Sequence, residues 1–422
     1  MEILSSYNLI IGVSIIIILS FLFNGIAKKT NIPAVLMLIV LGIGLQYFLN
    51  YFIDEELNFF PILEILGIVG LIMIVLEAAL ELELKREKLM PILKAMTIAL
   101  LGLVISTWVA ALVLYQFIPE MTMDSAWIYA TPLSILSSAI IIPSVSGLTT
   151  VKKEFHIYES TFSDILGIMM FYFLAAKFNP EEDMTPVGFA GNLVLTVVIS
   201  LIASYLIILI FQRIKSQVKL FLLIAVLLLL YALGKKMHLS SLIIILFFGL
   251  VIANMKLFFK GKLSRFLDYD KAHHIYHELH TITAETAFVV RTFFFVIFGV
   301  TIVIAHLWNL NVALISLLII VSIYVIRFVL LRIFMGSDII PQLFIAPRGL
   351  ITVLLFYAIP SEAQISTFQP GILLFVIIGT SLLMTAAMIY DKRRSLEATK
   401  IASSKKVGVV KWKAPVVEEI NE

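Results

Sequence analysis

The run Glu159-Ser160-Thr161-Phe162-Ser163-Asp164 sets two carboxylates and three hydroxyls at the head of an apolar stretch, Ile165 to Ala176. An Asp inside a membrane span costs roughly 2.5–3.5 kcal/mol on insertion scales, so its presence there marks a functional site by default. At about 100° per residue, Ser160 and Asp164 share one helix face, while Glu159 points about 140° away from Asp164. Two carboxylates aimed at different neighbours predict two jobs, one holding a mobile ion and the other a fixed partner. A carboxylate in a water-accessible pocket of low dielectric is neutralised by a proton or by a small cation, and rarely holds both. Hard oxygen ligands suit Na⁺, Li⁺ or K⁺. Ser160 supplies one, and a backbone carbonyl freed near Thr131 could supply another. Competition between H⁺ and a cation at Asp164, opened alternately to each side, would make an exchanger. The other reading of Asp164 is a buried structural carboxylate paired with an arginine.

The elements that must position these residues are membrane spans. With 61% hydrophobic and 14% charged residues and a mean hydropathy of +1.06, a soluble globular class is excluded. Cysteine is absent, which excludes disulfides, thiolate nucleophiles and cysteine metal sites. Thirteen apolar stretches are long enough to cross: 8–27, 33–50, 61–80, 92–118, 126–149, 158–178, 187–211, 219–234, 239–258, 284–307, 312–335, 339–359 and 369–390. Span 1 lacks a basic stretch before it and a cleavage site after it, so it reads as a retained helix. Basic loops such as Lys85-Arg86, Lys152-Lys153 and Lys392-Arg393-Arg394 alternate with acidic ones such as Asp54-Glu55-Glu56 and Glu181-Glu182-Asp183; Lys235-Lys236 is the exception. The N-terminus is therefore expected outside and the C-terminus in the cytoplasm. The expected class is an all-α polytopic membrane protein, with one transmembrane domain over 1–390 and a short cytoplasmic tail over 391–422.

Spans 5 and 12 are interrupted, by Ala130-Thr131-Pro132, Pro143 and Gly147 in the first and by Pro341 and Pro347-Arg348-Gly349 in the second. Such breaks are either ordinary membrane-helix kinks or unwound segments that line a cavity. A matched pair in two halves is the best sequence pointer to a transporter site. It pairs spans 1–6 with 8–13 as an inverted repeat and leaves span 7 as a connector. Besides Asp164, the ionisable residues well inside spans are Glu77, Glu159, Arg291, Arg327 and Arg348. Three acids balance three bases, as expected if most are paired. Glu77 and Arg291 occupy spans the repeat makes equivalent, and either face each other or snorkel separately. Arg348 offsets the partial charges of the broken-helix ends. Segment 260–283 predicts an amphipathic helix along the cytoplasmic surface, whose His273, His277 and His280 share a face. They read as a solvated surface, a pH sensor or, less plausibly, a metal site.

In these features the sequence resembles the monovalent cation/proton antiporter superfamily, in particular its sodium/proton exchanger branch, over residues 5–390. The family's Glu-Ser-x-x-Asn-Asp motif of span 6 is matched by Glu159–Asp164, its span 3 Phe/Leu-x-Glu-Gly by Val75-Leu76-Glu77-Ala78, its Arg-Gly of broken helix 12 by Arg348-Gly349, and its span 11 arginine by Arg327. The resemblance implies that Asp164 carries proton and cation, with Ser160, the Thr131 region, Ser163 and Glu77 around the ion. It implies a Glu159–Arg327 salt bridge and a homodimer. Spans 1–3 and 8–10 would form the scaffold, and 4–6 and 11–13 a core moving in an elevator-like way. The partners implied are Na⁺ or another monovalent cation, H⁺ and membrane lipid, at the plasma membrane and without cofactor, resident metal or nucleic acid. Two departures matter. Ser163 stands where the family has Asn or Asp, which implies one cation per proton with no net charge moved. Ala130 stands in place of the Asp of a Thr-Asp-Pro motif. A cation channel, a non-transporting sensor and a membrane-embedded enzyme are the alternatives. No intramembrane Ser–His or Asp–Asp constellation favours the enzyme, since His238 and His306 lie at span ends.

Overall fold

The computed structural model describes residues 6–30, 32–52, 60–82, 84, 86–178, 186–214, 219–237, 241–301 and 309–404. The acidic loops at 54–56 and 181–183, His238, His306 and the tail beyond Ser404 lie outside the described residues. Every long element among the described residues is helical. In order they are α1 (Ser6–Thr30), α2 (Ala34–Phe52), α3 (Phe60–Glu81), α4 (Leu89–Phe117), α5 (Met123–Ser134), α6 (Ser138–Ser144), α7 (Thr150–Ala176) and α8 (Pro186–Phe211). There follow α9 (Lys219–Lys236), α10 (Ser241–Ala253), α11 (Met255–Phe258), α12 (Tyr269–Thr301), α13 (Leu310–Met335), α14 (Leu350–Tyr357) and α15 (Gly371–Ser404). Among the described residues, seven helices are long and apolar enough to cross a membrane, and two shorter apolar ones accompany them. Their outward residues are apolar, as with Ile10, Ile18, Val198, Ile202, Leu317 and Val325. That is the surface a helix presents to lipid rather than to water. The protein is an all-helical multi-pass membrane protein.

Packing divides the helices into two sets. Helices α1, α2, α3, α8, α9, α10 and α12 pack mainly on one another, and so do α4, α5, α6, α7, α13 and α15. Helix α14 lies between the sets, against α3 and α5. Small residues make the closest crossing in the first set. A Cβ on Gly42 of α2 would collide with the Val296 carbonyl oxygen, and one on Gly299 of α12 with that of Ile39. Only glycine lets the two backbones meet this closely.

One expectation is corrected. The amphipathic stretch before span 10 is no separate surface helix, because α12 runs unbroken from Tyr269 to Thr301. Ala272, Ile275, Leu279, Thr283 and Ala287 are buried at three- and four-residue spacing, so the apolar stripe packs onto the bundle and continues into the span. Helix α15 likewise continues past Tyr390 to Ser404.

The span 5 interruption is real but displaced from its proline. Pro132 and Pro143 sit inside α5 and α6, and the chain is extended at Ile135–Ser137 between them. A proline deprives the carbonyl four residues back of its donor, so the helix survives it by about one turn before ending. In the second interruption the chain is non-helical from Gly336 to Gly349, and α14 begins after it.

Candidate functional site

Where the two interruptions cross, the Ser137 amide donates to the Pro347 carbonyl oxygen at 3.0 Å. The approach is close enough that a Cβ on Gly349 would lie 2.5 Å from Ser137 Oγ. Glycine at 349 is thus required by contact, not by backbone angle. Arg348, almost wholly buried, satisfies the orphan ends. Its Nε donates to the Leu133 carbonyl oxygen at 2.8 Å, its Nη1 to that of Ala346 at 2.9 Å, and its amide to Thr380 Oγ1 at 3.1 Å. A guanidinium at the C-terminal end of α5 meets the negative end of the helix dipole, as the sequence predicts.

Helix α7 turns two faces to this crossing. On one face Lys152 pairs with Asp338 at 3.0 Å and donates to the Ile340 carbonyl oxygen at 3.1 Å. One turn further, His156 Nδ1 stands 3.3 Å from a Glu159 oxygen. Glu159 accepts a two-pronged contact from Arg327, Nη1 to Oε1 at 2.6 Å and Nη2 to Oε2 at 2.9 Å. Arg327 Nε also donates to the carbonyl oxygens of Gln342 and Leu343, both at 3.1 Å. This face therefore clamps α7 and α13 to the second interruption. Next along it, Ser163 Oγ accepts from the Leu136 amide at 3.0 Å, which satisfies a donor freed by the first interruption. A cavity of about 30 Å³ lies between Ser106, Ser134, Glu159, Ser163, Arg327 and Arg348. That is room for about one or two waters, and its lining is polar enough to hold them.

The other face carries Ser160 and Asp164, both buried. Ser160 Oγ donates to the His156 carbonyl oxygen at 2.7 Å, leaving its lone pairs turned outward. The amide and hydroxyl of Ser138, the first residue of α6, stand beside the Asp164 carboxylate. Neither carboxylate oxygen has a hydrogen bond of ordinary geometry. No basic side chain among the described residues comes within ion-pair distance of it. Thr131 is buried one turn before the interruption, its hydroxyl donating to the Trp127 carbonyl oxygen at 2.8 Å. Its own carbonyl is one of the four at the end of α5 that lack an intrahelical partner.

Glu77 of α3 and Arg291 of α12 approach to 3.6 Å, both partly exposed. Arg291 Nη1 reaches across to the Ala139 carbonyl oxygen of α6 at 3.1 Å. Glu77 therefore stands one arginine away from α6. Sequence reasoning missed Ser138, His156, Gln342 and Thr380. A signal for the first existed, since Ser134, Ser137 and Ser138 interrupt an apolar span. His156 falls one turn from Glu159. Gln342 and Thr380 act through a backbone carbonyl and a lone hydroxyl, and no spacing announces them.

Two crossed, interrupted helices beside a buried carboxylate define an ion-coupled secondary transporter. The chain belongs to the sodium/hydrogen exchanger family, whose transmembrane region matches residues 15–389. Its fold is similar to that of the sodium proton antiporter MjNhaP1 from Methanocaldococcus jannaschii at pH 8. The TM-score is 0.66 at 21% identity, over 90% of this chain and 95% of that one. An electron-microscopy structure of the same antiporter gives 0.64 at 20% identity, over 98% of this chain and 100% of that one. Comparison with curated protein sequences returns no match.

Proposed function

We propose that the chain exchanges Na⁺, with Li⁺ or K⁺ as further candidates, for H⁺ at Asp164, one ion for one proton. The observation that carries this reading is that Asp164 has no counter-charge among the described residues. Arg327 is committed to Glu159, Arg291 to Glu77 and Arg348 to backbone carbonyls. A buried carboxylate left in that state is stable only when protonated or when it holds a cation. This weighs against the structural-carboxylate reading and favours a site that takes one or the other. Ser160, the Ser138 hydroxyl and the carbonyls ending α5 would supply the oxygen ligands. Ser163 adds no second carboxylate, so each cycle moves one charge each way.

Alternating access follows an elevator-like course. The set containing α4–α7, α13 and α15, together with α14 of the second interruption, carries the ion past the set containing α1–α3, α8–α10 and α12, with Glu77 and Arg291 at the boundary. The thirteen-span inverted repeat, the homodimer and the plasma-membrane location with the C-terminus in the cytoplasm complete the proposal. Its cellular role is cation and pH homeostasis. The test is transport by the purified protein in vesicles that enclose a pH dye. Na⁺, Li⁺ and K⁺ are added outside in turn. At least one should drive proton efflux at a rate that saturates with cation and ignores an imposed membrane potential. Asp164→Asn should reduce that flux to the level of protein-free vesicles. Native-rate exchange in the Asn variant would remove Asp164 from the mechanism.

A further inference from the structure

A second pocket, which shares no residue with the cavity at the crossing, lies where α8 stops. Gln212, mostly buried, shapes it. Its Nε2 donates to the Phe266 carbonyl oxygen at 2.7 Å and its Oε1 accepts from the Asp268 amide at 2.8 Å. These two bonds pin the segment before α12 against the end of α8 and leave a pocket of about 630 Å³. Phe211 and Ile275 form an apolar floor, and Arg213, Lys219, Arg265, Lys271 and His274 line the walls.

The charges do not cancel. Lys271 pairs with Asp268 at 2.6 Å. Lys219 and His274 share Glu278, at 3.1 and 3.2 Å. Arg213 and Arg265 have no side-chain partner among the described residues, and both are exposed. Two unpaired guanidiniums over an apolar floor suit a phosphate group, whose oxygens each can bind in a two-pronged way.

The neighbouring surface narrows the source of that phosphate. Leu206 and Ile210 give the closing turns of α8 an exposed apolar track that leads to Phe211 of the pocket. A free phosphate has no use for such a track, whereas an acyl chain lies along it. We infer that this pocket binds the phosphate headgroup of an anionic phospholipid, with an acyl chain on the outer face of α8. Basic pockets between spans are the known physical form of such recognition.

The test is a titration of purified protein in neutral detergent with phosphatidylglycerol carrying a fluorescent tail. Wild type should bind it saturably, with unlabelled phosphatidylglycerol competing and phosphatidylcholine and soluble glycerol phosphate failing to compete. The Arg213→Gln/Arg265→Gln variant should bind about thirtyfold more weakly, the loss of two cationic contacts. That variant should keep wild-type helix content and cation–proton exchange in vesicles of neutral lipid. Arg213→Lys/Arg265→Lys, which retains charge but not the planar fork, should fall between. Equal binding by wild type and the Gln variant would overturn the inference. So would competition by glycerol phosphate, which would make this a free-anion site. So would an absence of binding because a second copy of the chain covers the pocket. The inference rests on the membrane fold and not on the exchange reaction, so the two can fail separately.

Discussion

Glu159 and Asp164 are five residues apart in one helix and meet opposite surroundings. Glu159 has a guanidinium on both oxygens, and removing one member of such a buried pair strands the other. Glu159→Ala should therefore cost about 3–5 kcal/mol, read as a lowered melting temperature in detergent. Glu159→Leu combined with Arg327→Met should recover much of that loss, because a well-packed apolar pair replaces the stranded charge. The carbonyls of Gln342 and Leu343 would still lose their donor, so recovery should be incomplete. The different directions of these two carboxylates were legible from 100° per residue alone. The environment of Ser163 was not. Its oxygen is occupied by the Leu136 amide because the chain unwinds at Ile135–Ser137, and no sequence rule places an unwinding to the residue.

At the scale of elements, the paired interruptions were readable from their prolines, but the contact between them was not. Proline announces that a helix is in trouble nearby, and the serines of 134–138 absorb it a turn later. The crossing itself depends on Gly349 against Ser137, residues 212 positions apart in sequence. Gly349→Ala should clash there and cost about 1–3 kcal/mol, the usual range for overpacking, with a matching fall in exchange. Adding Ser137→Ala removes the nearest obstructing atom and should restore part of both. An unchanged melting temperature in the single variant would count against the close crossing. The surface helix expected before span 10 was misread for a related reason. A stripe with polar residues on its other side suits a membrane surface and a protein surface equally, and only the packing of Ile275 and Leu279 decides between them.

At the scale of the molecule, the account requires two sets of helices to move past each other. Gly67 of α3 and Leu354 of α14 touch across their boundary, where a Cβ on Gly67 would stand 3.5 Å from Leu354 Cγ. The chain has no cysteine of its own, so Gly67→Cys with Leu354→Cys gives a clean cross-link test. Oxidation should stop exchange and reduction should restore it, while full activity in the oxidised state would argue for a static boundary. The central claim is narrower, that one carboxylate is shared in turn by a proton and a cation. It is tested most directly by calorimetry of Na⁺ binding in two buffers with different heats of ionisation, at a pH where the ion-free site is protonated. The account predicts about one proton released per Na⁺ bound by wild type, because the ligand must lose its proton to take the ion. It predicts none from Asp164→Asn. Na⁺ binding without proton release, or release that persists in the Asn variant, would contradict it.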